Sequence, residues 1–378
     1  MNFVGLNGRS QVSAAETIDD ITPGWLSLAL GLDIRSVSAE RIGTGQTGVT
    51  YRLMIDSSEG ASTLVAKLAS GDSQARSQVS AGYRAEVGFY EDIASTVKVH
   101  TPRCWYAAIA DDSLTFTLLL DDLAPRVPGV QAEGCSIAQA GRAVENLAAL
   151  HAPRWNDESL FDLAYMRRPT QQLADFLGVI VASATEVFLD RFQSDLSAGD
   201  VATLRAVAQA MTAWQMLRPT PFSVIHGDYR PDNLMFQPAG EDNDDVMVVD
   251  WQTLAVGPPA RDLAYFLGTS LTTPTRRAAE RELIARYHAA LVKQGVTDYA
   301  AGRCFDDYRI GQLQGPMITT LGCAYASGIR SRSSDEMFLA MAHRSCAAIR
   351  DLGSLEMIAA SGSDPEQPDN EDGSNGQV

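Results

Sequence analysis

The stretch SVIHGDYRPDNLMF, Ser223 to Phe236, crowds His226, Asp228, Arg230, Asp232 and Asn233 between two apolar runs. Most of these residues are poor strand or helix formers, so the segment reads as a loop with a chemical task. Asn233 follows Asp228 after four intervening residues, and VMVVD delivers Asp250 at the end of a strand a short hairpin later. A magnesium ion takes a few oxygen ligands and keeps several waters, and Asn233 with Asp250 would supply such ligands opposite bound phosphates. Asp228 would remain free to orient an attacking hydroxyl and accept its proton. This is the constellation of phosphoryl transfer.

Two earlier features fit the same chemistry. In TLVAKLA, Lys67 interrupts an apolar strand. A buried ammonium is costly unless paired, and Glu86 on the following helix is the natural partner. Strand alternation puts Ala66 and Leu68 on one face and Lys67 on the other, where its charge can hold two phosphates while Glu86 fixes it. RIGTGQTGVTYRL contains Gly43, Gly45 and Gly48 in G-x-G-x-x-G spacing. Because VTYRLMI continues as an alternating strand and not as a helix, a glycine-rich hairpin over phosphates is preferred to a dinucleotide fold. An ordinary glycine turn stays open on that motif alone.

Other polar residues have plainer readings. His226 is expected to hold the loop by hydrogen bonding, and Asp262, at the start of a helix in ARDLAYF, to brace it from behind. His151 ends a helix and is read as a packing or capping residue. Arg230 could reach a γ-phosphate or simply pair with a surface acid. His100, His288 and His343 have no metal-site spacing.

Thr22, Pro23 and Gly31 mark a short capped helix. Strand patterns cover Ile42 to Ile55 and Ser62 to Leu68, then CWYAAIA and TFTLLLDDL, with a helix over SAGYRAEVGFYEDIAS between them. From about Ile137 helical patterns dominate, interrupted by the polar loop and DVMVVDW. The expected organisation is α+β and bilobal: an extension over 1–20, a β-rich lobe over 21–120, a connector at 121–123, and a helical lobe over 124–360.

Composition limits the rest. The 378 residues suit two lobes, and 45% are apolar. The net charge of −17 argues against nucleic acid or an anionic membrane as the main partner. Nine acids lie in two runs, EDNDD at Glu241 to Asp245 and the tail from Ser361 to Val378, so the acidity says little about a binding site. The tail, 361–378, is expected to be disordered. Five scattered cysteines without C-x-x-C spacing point to a reduced, cytoplasmic setting and no zinc site. No basic-then-apolar leader and no run of about 18 apolar residues is present, so neither secretion nor membrane insertion is expected.

HGDYRPDN, VVDWQ and GPPARDLAYFLG resemble the kinase-like small-molecule phosphotransferases, which include aminoglycoside phosphotransferases and choline kinases. DWQ at Asp250 to Gln252, LAALHAPRW and GQTGVTYRL resemble the ecdysteroid-kinase-like branch more closely. The resemblance implies a protein-kinase-like fold using ATP and Mg²⁺, with Asp228 as catalytic aspartate, Asn233 and Asp250 as metal ligands, and Lys67 with Glu86 as the phosphate-binding pair. It also implies a hinge in which main-chain groups of Asp121 to Leu123 hold the adenine. His226-Gly227 and Trp251-Gln252 depart from the protein-kinase motifs, and no activation loop ending in A-P-E follows, so the expected acceptor is a small-molecule alcohol. The segment from Asp306 to Arg330, mainly apolar, small or hydroxylic, fits a largely apolar alcohol better than an aminoglycoside. An antibiotic phosphotransferase and a nucleotide-binding pseudokinase are the alternatives.

Overall fold

The computed structural model describes residues 12–43, 48–238, 245–325 and 331–361. Gly45, most of the EDNDD run and the tail beyond Ser361 lie outside them. The Thr22 side chain accepts from the Trp25 N–H, Pro23 opens α1 (Pro23–Leu30), and left-handed Gly31 closes it. Five strands follow in an antiparallel sheet: β1 (Ile34–Ile42), β2 (Gly48–Ser57), β3 (Gly60–Ala69), β4 (Cys104–Ile109) and β5 (Phe116–Asp121), ordered β1-β2-β3-β5-β4. α2 (Ser73–Gly88) joins β3 to β4 and runs directly into a wider helical turn at Phe89–Ile93.

Sequence alternation puts the first strand at Ile42; the structure begins it at Ile34. IRSVSAERI is mostly exposed, as an edge strand paired only with β2 can be. It therefore lacks the alternation that marks a half-buried strand. Ile42 and Gly48 are the two ends of a hairpin, which is the arrangement expected of the glycine motif.

The rest of the chain is mainly helical. β6 (Val127–Pro128) and α3 (Ile137–His151) come first, then the antiparallel pair α4 (Gln171–Phe192) and α5 (Ala198–Met216). The polar loop is framed by β7 (Ser223–Ile225), β8 (Leu234–Phe236), β9 (Val246–Val248) and β10 (Ala255–Gly257). These are paired as β10-β7 and β6-β8-β9, so the loop hangs between two small ladders. α6 (Ala260–Ser270), α7 (Thr273–Lys293), α8 (Ala301–Gly311), α9 (Gln314–Tyr325), α10 (Arg332–Leu352) and α11 (Ser354–Ser361) complete it.

One apolar core joins Tyr83, Val87 and Phe89 of the α2 region to Val144, Leu147, Tyr229, Trp251 and Phe266, so α2 is packed into both halves. A second core, with Leu26, Leu53, Ala66 and Leu119, lies under α1. Alternation along β3 thus buries Ala66 and Leu68 and leaves Lys67 on the other face, as expected. Among the described residues one helical segment, Gln171–Asp195, is long and apolar enough to cross a membrane, with mean hydropathy 1.5. It packs against α5 and α9, with Val181, Phe188 and Leu189 buried there.

Candidate active site

Asp228 lies in the loop after β7, and its backbone path depends on Gly227. Gly227 has φ +81°, and a Cβ there would stand 2.5 Å from the Thr253 carbonyl oxygen, so both the turn and the close approach require glycine. Buried Asp262, at the start of α6, accepts from the N–H groups of His226 at 2.6 Å and Gly227 at 2.9 Å. The side chain of His226 accepts from the Asp228 N–H through Nδ1 and reaches the Val249 carbonyl with Nε2 at 3.1 Å. Both histidine nitrogens are thus used in holding the loop, which is the structural role read from the sequence. His151 is likewise internal, with Nδ1 2.7 Å from the Tyr287 hydroxyl.

Local geometry brings Asn233 back onto Asp228. A single turn at Pro231–Asn233 lets Asn233 Nδ2 donate to the Asp228 carboxylate at 3.0 Å and to its carbonyl oxygen at 2.9 Å. The amide nitrogen is engaged, and the amide oxygen is left for another partner. The Val249 N–H donates to the Asn233 carbonyl at 3.0 Å, which sets Asp250 beside it. Asp250 has φ +67°, a left-handed conformation that aspartate tolerates better than most residues and that is typical of strained functional positions.

Asp250 then meets the first half of the chain. Lys67 Nζ donates to Glu86 Oε1 at 2.7 Å and to Asp250 Oδ1 at 3.1 Å. Desolvation alone would lower the Lys67 pKa; Asp250 and Glu86 more than offset it, and the net direction is upward. Desolvation also opposes ionisation of Asp250, yet Lys67 draws its pKa below the usual carboxylate value. Burial raises the pKa of Glu86, and the Lys67 ammonium resists that rise. The following two residues tie this group to α2: Trp251 stacks on Phe89 with ring centroids 3.5 Å apart, and Gln252 Nε2 donates to Glu86 at 3.2 Å.

Gly48 begins β2 directly over this pair. A Cβ there would approach the Leu68 carbonyl at 3.1 Å and Lys67 Cε at 3.4 Å. Gly43, φ +71°, follows the last residue of β1. At the connector, the Asp121 N–H donates to the Arg103 carbonyl and its carboxylate accepts from Trp105 Nε1 at 2.6 Å. The Leu123 carbonyl accepts from the Arg126 N–H. Two of the main-chain groups in the expected adenine-binding segment are therefore engaged within the protein.

Arg230 is no surface residue. Its side chain is 19% exposed; Nε donates to Asp228 at 3.1 Å and Nη1 to Asp232 at 2.6 Å. Burial works against its charge, but the neighbouring carboxylates, Asp228 first, hold its pKa above the usual value. Sequence reading missed two partners. Tyr265, on α6, donates to Asp228 Oδ1 at 2.6 Å, and Gln314, at the start of α9, donates to the Gly227 carbonyl at 3.0 Å. Tyr265 follows Asp262 by three residues, a helical spacing that would have placed both on one face.

The donor set suits magnesium. Asn233 offers its amide oxygen, and Asp250, whose side chain is 43% exposed, keeps one oxygen beyond the one that meets Lys67. Among the described residues no group of three or more His, Cys, Asp or Glu side chains is arranged for a metal. Two protein oxygens are what magnesium uses when substrate phosphates and water complete its shell.

The fold is that of protein-kinase-like phosphotransferases. The chain is similar to choline kinase from Cryptosporidium parvum Iowa II, with TM-score 0.52 and 9% identity over 86% of this chain and 93% of that one. It is also similar to the GDP complex of aminoglycoside 2'-phosphotransferase-IIIa, with TM-score 0.50 and 16% identity over 82% and 93%. A protein of Ralstonia eutropha JMP134, provisionally assigned as an aminoglycoside phosphotransferase, matches with TM-score 0.50 and 16% identity over 87% and 97%. No curated protein matches the sequence. The ecdysteroid kinase-like family profile matches residues 46–296, which span the Lys67, Asp228, Asn233 and Asp250 positions together, and the chain belongs to that family.

Proposed function

We propose that this protein transfers the γ-phosphoryl group of ATP, with Mg²⁺, to a hydroxyl of a small and largely apolar organic molecule. The observation behind this reading is the bridge from Lys67 to both Glu86 and Asp250, in a structure where Asn233 is bonded to Asp228. The bridge joins the phosphate-binding lysine to the metal carboxylate, and the Val249 N–H bonded to the Asn233 carbonyl sets Asn233 and the base beside them.

In this reading Lys67 binds the nucleotide phosphates and Glu86 fixes it, Gly43, Gly45 and Gly48 cover them, and the Leu123 N–H is the donor offered to adenine. Magnesium held by Asn233 and Asp250 would neutralise charge that develops on the phosphates. Asp228 accepts the hydroxyl proton as the acceptor oxygen bonds to phosphorus, and the bridging bond breaks with its electron pair left on ADP. Arg230, already beside the base, is the positive group for the γ-phosphate. A pseudokinase would have no need of Asp228 with its carboxylate held on both oxygens.

Charge and location support the apolar acceptor. α9 borders the catalytic loop through Gln314, and its Ile318, Leu321 and Gly322 are small or apolar and partly exposed. Asp306 and Asp307 do not offer themselves to a polycation, because Asp306 meets Arg309 and Asp307 meets Arg303 and Arg218. An ATP-consumption screen over alcohols of graded polarity, read by the mass gain of one HPO₃ group, tests the assignment. Neutral polycyclic alcohols should be phosphorylated and kanamycin-like polycations should not; the reverse would return the protein to the antibiotic-kinase class.

A further inference from the structure

A carboxylate offers two oxygens and about four lone-pair positions. On Asp228 three are filled: Oδ2 accepts from Arg230 Nε at 3.1 Å and Asn233 Nδ2 at 3.0 Å, and Oδ1 accepts the Tyr265 hydroxyl at 2.6 Å. The vacant position belongs to Oδ1, alongside the tyrosine. Tyr265 sits one helical turn beyond Asp262, which takes the two N–H groups just before the base. One helix therefore grips the loop at its backbone and at the base's own oxygen. α6 is buried along its whole length, and Tyr265 is 0% exposed, so the mount has little freedom. Burial, and then the Asp228 charge, raise the tyrosine pKa well above the ordinary value, which keeps it a donor at neutral pH.

We propose that Tyr265 is a positioning residue for phosphoryl transfer: by holding Oδ1 it sets the rotation of the Asp228 carboxylate and aims the remaining lone pair at the acceptor hydroxyl. This rests on the kinase reading above. The acceptor O–H gives its proton to Oδ1, its oxygen bonds to the γ-phosphorus, the bond to the bridging oxygen breaks with its pair on ADP, and the proton then passes from Asp228 to water. A phenylalanine would fill the same space and leave the carboxylate held through Oδ2 alone, with Oδ1 unanchored. A misplacement of about 1 Å costs on the order of 100-fold in rate.

The test compares full-length Tyr265→Phe with Tyr106→Phe, which loses a hydroxyl that donates to the Val12 carbonyl at 3.0 Å instead of to the loop. MgATP is the probe, with water in the acceptor's place, so no acceptor need be known. Tyr265→Phe should lower kcat by about 10- to 100-fold while the Kd for MgATP stays within about twofold of wild type. Tyr106→Phe should retain kcat. Equal kcat in the two variants, or a fall in nucleotide affinity that matches the fall in kcat, overturns the proposal. Failure of the wild type to transfer phosphate to water or to any alcohol of the screen refutes the kinase reading, and the crystal structure of Tyr265→Phe then decides the positioning role separately. A rotated or split Asp228 carboxylate supports positioning, and an unmoved one overturns it.

Discussion

Lys67 Nζ stands 3.1 Å from Asp250 Oδ1, although 183 positions separate the two residues in the chain. One ammonium thereby connects the sheet with the hairpin after the loop that carries Asp228. With Glu86 as its second partner, Lys67 has a compensated charge in a largely buried setting.

Asp250→Asn should keep the fold and abolish the magnesium-dependent part of nucleotide binding. Calorimetric titration of ATP with and without Mg²⁺ measures this. The wild type should bind more tightly with the metal, and the variant should bind equally in both conditions. Chelation of Mg²⁺ by EDTA should stop transfer by the wild type. Undiminished metal dependence in the variant would remove Asp250 from the ligand set.

Asp228→Asn should lower kcat by roughly 100- to 10,000-fold, the range contributed by a positioned general base. Nucleotide affinity should change little, because Asp228 faces Tyr265, Arg230 and Asn233 and not the Lys67 pair. Single-turnover assays with trace ATP separate the two quantities. Transfer at the wild-type rate would disqualify Asp228 as the base.

Gly227→Ala combines a left-handed φ with a 2.5 Å approach to the Thr253 carbonyl oxygen. The strain should cost about 1–3 kcal/mol or more, seen as a lower denaturant midpoint with an unchanged m-value. An unaltered midpoint would mean that the loop relaxes without cost.

Burial pushes the Cys104 and Cys304 thiols up to about 12 from the ordinary 9.0. Between these limits the folded chain holds protons that the unfolded chain releases, so stability falls as pH rises through that window and is fully present below it. Urea midpoints measured from pH 8 to 11 should therefore decline. Iodoacetamide at pH 8 should label both thiols slowly in the native protein and rapidly in denaturant; fast native labelling at these positions would contradict their burial.

Local features follow from residue order alone. Asp228 and Asn233 meet because five positions of loop, closed by one turn at Pro231, span the distance, and the residue types that favour turns also name the chemistry. Ala66, Lys67 and Leu68 took their faces from strand alternation, and Thr22, Pro23 and Gly31 bounded a helix by backbone preference. Polar β1 was not delimited, since an edge strand needs no apolar face. Contacts between distant elements do not follow from residue order. The direction of Arg230 into Asp228 and Asp232, the stack of Trp251 on Phe89, and the Tyr265 contact depend on how α2, α6 and the loop pack. Periodicity assigns a residue to a face of its own element. Which residue that face meets is set only when the elements bury one another, because long-range contacts are selected by the packing of the whole core.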